Sequence, residues 1–112
     1  MSQSLALSAQ ELAQVRAILA AHLPPGVTVS VFGSRAAGAG KPAPKPWSDL
    51  DLALEGESPL PLSLMAELAE AFDESPLPWK VDLVDGKAIS AGFAAIVKAG
   101  CVPLDLTARP EA

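Results

Sequence analysis

Apolar residues recur along the chain with two different periods, and the change from one period to the other marks out the elements. Leu12, Val15, Leu19 and Leu23 follow one another at three- and four-residue steps, with Ile18 widening the stripe, which is the spacing of one helix face. This helix is predicted to start at Ser8-Ala9-Gln10-Glu11, a capping box in which Ser8 accepts from the amide three residues on and Glu11 reaches back. Pro24-Pro25-Gly26 stops it. Val27 to Phe32 is β-branched and alternating, so it predicts a strand with Val27, Val29 and Val31 on one face. Residues 38 to 46 hold three prolines and two glycines, which predicts an exposed loop. A second strand is predicted from Leu50 to Leu54 and a third from Lys80 to Val84, with a short last one from Val102 to Leu106. Between them, Leu62, Met65, Leu68, Ala69 and Phe72 are spaced for a helix introduced by Ser58-Pro59 or Ser63 and ended before Pro76 and Pro78. Ile89, Phe93, Ile96 and Val97 mark a third helix.

The order α, β, β, α, β, α, β and the absence of an internal repeat predict one α/β domain of the α+β kind. It occupies 1–112 with a core over about 8–106, because 112 residues do not accommodate two cores of ordinary size. Half of the residues are apolar but only five are aromatic, so the interior is expected to be aliphatic. No stretch approaches the roughly 18 to 20 apolar residues that span a bilayer, and none has the form of a signal peptide. With a lone Cys101 this predicts a cytoplasmic protein without membrane contact. A net charge of −5 argues against direct binding to duplex nucleic acid, which Lys and Arg drive by displacing counterions. It does not argue against a nucleoside triphosphate, which needs only a few local donors and metal ions.

Ser48-Asp49-Leu50-Asp51-Leu52 is the sharpest chemical feature: two carboxylates one residue apart within a strand project from the same face. Mutual repulsion makes such a pair a natural Mg²⁺ site. Asp82, flanked by apolar residues in the third strand, would be expensive to bury unpaired. If that strand lies beside the second, three carboxylates converge and can hold two divalent ions about 3.5 to 4 Å apart. Gly33-Ser34-Arg35-Ala36-Ala37-Gly38 directly follows a strand. There Gly33 permits close approach of a phosphate, Ser34 offers a hydroxyl and an amide, and Arg35 is placed either to contact the triphosphate or to form a salt bridge elsewhere. Asp-x-Asp alone is a common solvated pattern and a lone Gly-Ser is weaker still. Asp85 before Gly86 reads as a turn residue, His22 as the end of the first helix, and Trp47 as either a packing residue or a flank for a nucleotide base.

The conjunction of Gly33-Ser34-Arg35-Ala36-Ala37-Gly38, Ser48-Asp49-Leu50-Asp51-Leu52 and Val81-Asp82-Leu83-Val84-Asp85 resembles the signature of the minimal nucleotidyltransferases of the DNA polymerase β superfamily. The segment from Asp82 through Ile89-Ser90 to Phe93-Ala94-Ala95-Ile96-Val97 is similar to the branch that pairs with a separate helical partner. The resemblance implies a mixed β-sheet with helices packed on one side and a site for two Mg²⁺ ions. It implies that Gly33 and Ser34 bind the triphosphate with Arg35 beside them, that Asp49 and Asp51 ligate both metals, and that Asp82 binds the catalytic metal and activates the acceptor hydroxyl. ATP is the implied substrate and a HEPN-type protein the implied partner in a hetero-oligomer. Transfer of AMP to a tyrosine of that toxin would make the chain an antitoxin. Two other functions fit the same motifs: an antitoxin acting by occupancy alone, and the catalytic subunit of a two-component small-molecule nucleotidyltransferase. The chain departs from the family in the segment from Arg35 to Ser48, which at fourteen residues is longer than is common and brings in Lys41 and Lys45. It departs again at Ala37, where many relatives carry Arg.

Overall fold

The computed structural model describes residues 7–36, 48–104 and 106, except for the side chain of Ser34. The Pro-rich loop at 38–46, Lys41, Lys45, Trp47 and Ala37 lie outside the described residues. The first helix, α1 (Ala9–His22), is capped as predicted: the Glu11 amide donates to Ser8 Oγ at 3.0 Å and the Ser8 amide to Glu11 Oε1 at 3.0 Å. Strands β1 (Thr28–Phe32) and β2 (Leu50–Glu55) follow, then α2 (Leu62–Asp73), β3 (Val81–Asp85), α3 (Ala91–Ala99) and β4 (Val102–Leu104).

The four strands form one mixed sheet in the order β3-β2-β1-β4. β1 runs antiparallel to both β2 and β4, whereas β2 and β3 are parallel. Strand alternation sends Val29 and Val31 of β1, Leu50, Leu52 and Leu54 of β2 and Leu104 of β4 to one face. There they pack with Val15 and Leu19 of α1 and Leu68 and Phe72 of α2. The odd-numbered residues of β2 and Phe32 of β1 are left on the other face.

One-sided packing therefore describes α1 and α2. The third helix lies against the opposite face: Ala94 and Val97 line a small cavity together with Ala53 of β2, and the Phe93 ring meets Phe32 edge-on at 6.0 Å. Only Val97 of α3 is buried, and Ile96 is 69% exposed. Ile89 precedes the helix, because Ser90 is its N-cap and accepts from the Phe93 amide at 3.2 Å.

Neither serine expected to open α2 caps it. Ser63 is already inside the helix, and Pro61 takes the cap position, where a residue without N–H loses nothing and its carbonyl receives the Leu64 and Met65 amides. β4 is shorter than the Val102 to Leu106 prediction. Asp85 fulfils its reading as a turn residue: its buried carboxylate accepts from the Leu60 amide at 2.6 Å and the Lys87 amide at 2.9 Å, tying the end of β3 to the approach to α2. Among the described residues, no helix is long and apolar enough to cross a membrane.

Asp85→Ala leaves two amides without their acceptor at a largely buried position. It is expected to lower stability by about 1–3 kcal/mol, read as a shift in the urea unfolding midpoint without a change in slope.

Candidate active site

The site is built where β1 ends and β2 and β3 begin, on the sheet face opposite the leucine core. β2 starts at Leu50, so Asp49 stands one residue ahead of the strand and Asp51 is its second residue. Burial alternates from exposed Asp49 through buried Leu50, half-buried Asp51 and buried Leu52. The two carboxylates thus share the face that the leucines leave. Parallel register sets Asp51 directly opposite Asp82 of β3. Asp82 is exposed, so the burial cost that its apolar neighbours in sequence suggested does not arise.

The turn after β1 completes the arrangement. Phe32 pairs with Asp51 across the β1–β2 ladder, and Gly33–Arg35 then forms a single 3-10 turn. Gly33 has φ +79°, a left-handed conformation that glycine adopts without steric cost. A Cβ there would collide with Asp51 Oδ2 and lie 3.2 Å from Asp51 Cγ. Gly-Ser and Asp-x-Asp, separate in sequence, are therefore in contact in the fold. Ser34 occupies the middle of this turn.

Charge is concentrated at Asp51. Burial first, then the charge of Asp82, the charge of Asp49 and a hydrogen bond shared with Asp82 push its carboxyl up from an ordinary 3.8 to about 6. Each neighbour acts by disfavouring a further negative charge, a penalty that a divalent cation would relieve. The donors are all carboxylate oxygens, which suit a hard cation. Among the described residues, no three His, Cys, Asp or Glu side chains are gathered tightly enough to enclose an ion as they stand. The electrostatic coupling reaches all three aspartates, but the direct contact is between Asp51 and Asp82, with Asp49 acting on them through its charge.

Arg35 turns inward. Its side chain is buried, Nε donates to the Ser48 carbonyl at 3.0 Å, and the guanidinium carbon lies 4.6 Å from the centroid of the Trp79 ring. Trp79, which sequence reasoning passed over, is thus part of the site's support. No local pattern distinguishes a tryptophan that holds an arginine from one that fills a core.

A curated relative from Haemophilus influenzae, a probable protein adenylyltransferase called MntA, is 45% identical over 92 residues, covering 82% of this chain and 76% of the relative. The chain belongs to the MntA family. It is a nucleotidyltransferase by that membership, as its motifs implied. No family model matches the chain. The fold is that of a toxin–antitoxin crystal structure with AMP-PNP, at a TM-score of 0.65 and 26% identity over 83% of this chain and 71% of that one. It is also that of the complex of a tri-AMPylated Shewanella oneidensis HEPN toxin with an MNT antitoxin, at a TM-score of 0.54 and 22% identity over 83% and 71%.

Two expectations follow from the geometry. Gly33→Ala places a methyl group into Asp51 and strains a left-handed backbone, so it is expected to destabilise the fold by about 1 kcal/mol or more, read by thermal unfolding. The raised carboxyl of Asp51 gives the metal-free protein a stabilising contribution that is full below its unfolded value of 3.8 and lost as pH rises through about 6. In chelator, the unfolding temperature is accordingly expected to fall across this window, and Asp51→Asn to flatten that part of the profile.

Proposed function

We propose that the chain transfers AMP from ATP to a hydroxyl group of a HEPN-type partner protein, and that this modification silences the partner. The observation that carries the proposal is the face-to-face placement of Asp51 and Asp82 on the sheet face opposite the leucine core, with Asp49 beside them and the Gly33 turn against Asp51. Membership in the MntA family, whose Haemophilus influenzae relative is named a protein adenylyltransferase, supplies the reaction type. The complexes that share this fold include one with AMP-PNP and one in which the HEPN toxin carries AMP, and the proposal brings that nucleotide and that pairing to this chain.

In this reading the backbone at Gly33 and Ser34 receives the β- and γ-phosphates, at a turn where the missing side chain of Gly33 lets the Asp51 carboxylate lie directly against it. Asp49 and Asp51 would hold two Mg²⁺ ions, with Asp82 sharing one of them. When bound, the ions neutralise charge on the attacking and leaving oxygens of the displacement. Asp82, exposed on the site's open side, takes the proton of the acceptor hydroxyl. The acceptor oxygen forms its bond to the α-phosphorus, the bond between the α-phosphorus and the bridging oxygen breaks, and pyrophosphate leaves. Arg35 acts through the turn it anchors, since its described contacts are to Ser48 and Trp79. A protein acceptor is supported by α3, which stands on the same face as the carboxylates and leaves Phe93, against Phe32, and Ile96 exposed.

The test incubates the protein and its helical partner with Mg²⁺ and ATP labelled in either the α- or the γ-phosphate. Label on the partner from the α position alone is expected. Asp49→Ala and Asp51→Ala are expected to lower transfer by about a hundred- to a thousandfold, and Asp82→Ala to retain nucleotide binding better than turnover. Label from the γ position, or none from any of four nucleoside triphosphates, would overturn the proposal, the latter in favour of neutralisation by occupancy.

A further inference from the structure

Three segments of chain bring the site together: the turn at Gly33–Arg35, the approach to β2 at Ser48 and Asp49, and the approach to β3 at Trp79 and Lys80. The side chain of Arg35 lies where they meet. It shares a turn with Gly33 and Ser34, donates through Nε to the carbonyl one residue before Asp49, and lies over the ring of Trp79, three residues before Asp82. Arg35 is 5% exposed and Trp79 8%. The Leu50 amide donates to the Lys80 carbonyl at 2.9 Å, closing β2 against the chain that enters β3 at the same level.

We propose that Arg35 is a positioning residue: from inside the protein it sets the phosphate-binding turn against the ends of β2 and β3, and it does not contact the triphosphate. A guanidinium suits this task because it combines a planar face for the indole with a directed Nε donor, neither of which an ammonium group supplies. The contact with Ser48 fixes the residue from which Asp49 projects, and the contact with Trp79 fixes the segment that delivers Asp82. Misplacement of reacting groups by about 1 Å costs on the order of a hundredfold in rate, so loosening either contact acts on turnover although neither partner touches substrate. The inference rests on the nucleotidyl-transfer reading for its kinetic part alone.

The experiment compares Arg35→Lys, Arg35→Met, Trp79→Leu and the Arg35→Met/Trp79→Leu double variant. It measures Mn²⁺ affinity of the nucleotide-free protein by calorimetry, and kcat and KM for ATP in partner modification. Positioning predicts that Mn²⁺ affinity falls about tenfold and kcat about a hundredfold, with KM for ATP nearly unchanged. Arg35→Lys is expected not to rescue, Trp79→Leu to reproduce Arg35→Met although it removes no charge, and the double variant to be no worse than either single one. A raised KM with kcat retained, or rescue by lysine, would instead make Arg35 a phosphate ligand, and a silent Trp79→Leu would show that the ring contact positions nothing; each overturns the inference. If the unsubstituted protein shows no transfer, the proposed function fails by itself. Positioning is then decided by the Mn²⁺ titration, where equal affinity in all variants would end it. Should Arg35→Met not fold, Arg35→Lys, which retains bulk, and Trp79→Leu give the same comparison.

Discussion

Two like-charged side chains facing each other across neighbouring strands raise the energy of a fold, and the parallel register of β2 and β3 imposes this arrangement on Asp51 and Asp82. Asp49 adds a third negative charge on the same face, and the Asp51 carboxyl responds by holding its proton more tightly. The rest of the structure is organised around sustaining this repulsion. The opposite face of β2 carries Leu50, Leu52 and Leu54, all fully buried, so the strand that bears the strain is also the one most firmly packed.

Support also comes from outside the sheet. Gly33 yields the space that the Asp51 carboxylate occupies, and Arg35, two residues on, braces the chain segments that enter β2 and β3. The turn thus serves the carboxylates twice, once by lacking a side chain and once by burying one. Asp85 plays a comparable part at the far end of β3, where two amides satisfy its carboxylate. The same residue type in one strand is therefore a strut at position 85 and, in the proposed reaction, the proton acceptor at position 82.

Local rules made much of this legible. The Ser8-Glu11 capping box and the alternation of Val29 and Val31 each depend on residues close in sequence, and the structure forms them as read. The convergence of Asp51 with Asp82 was legible as a condition on strand adjacency, which pairing of β2 with β3 meets. What escaped depends on distant contacts. α2 begins at Pro61 because a carbonyl, not a serine hydroxyl, meets its first amides. α3 crosses to the second face because Phe32 and Ala53 offer it a surface there. The inward turn of Arg35 required knowing that Trp79, more than forty residues later, would be waiting beneath it.

The alternation within β2 has one more consequence, for how such a chain can vary. Even-numbered positions from 50 to 54 encode the interior and odd-numbered ones face the chemistry, so a slip of one residue in this strand would exchange them, turning carboxylates into the core and leucines into water. Insertions and deletions are consequently confined to the segments outside the strand. A lineage carrying this sheet can lengthen the connection between β1 and β2 freely, yet cannot shift the strand itself without forfeiting fold and site in the same event.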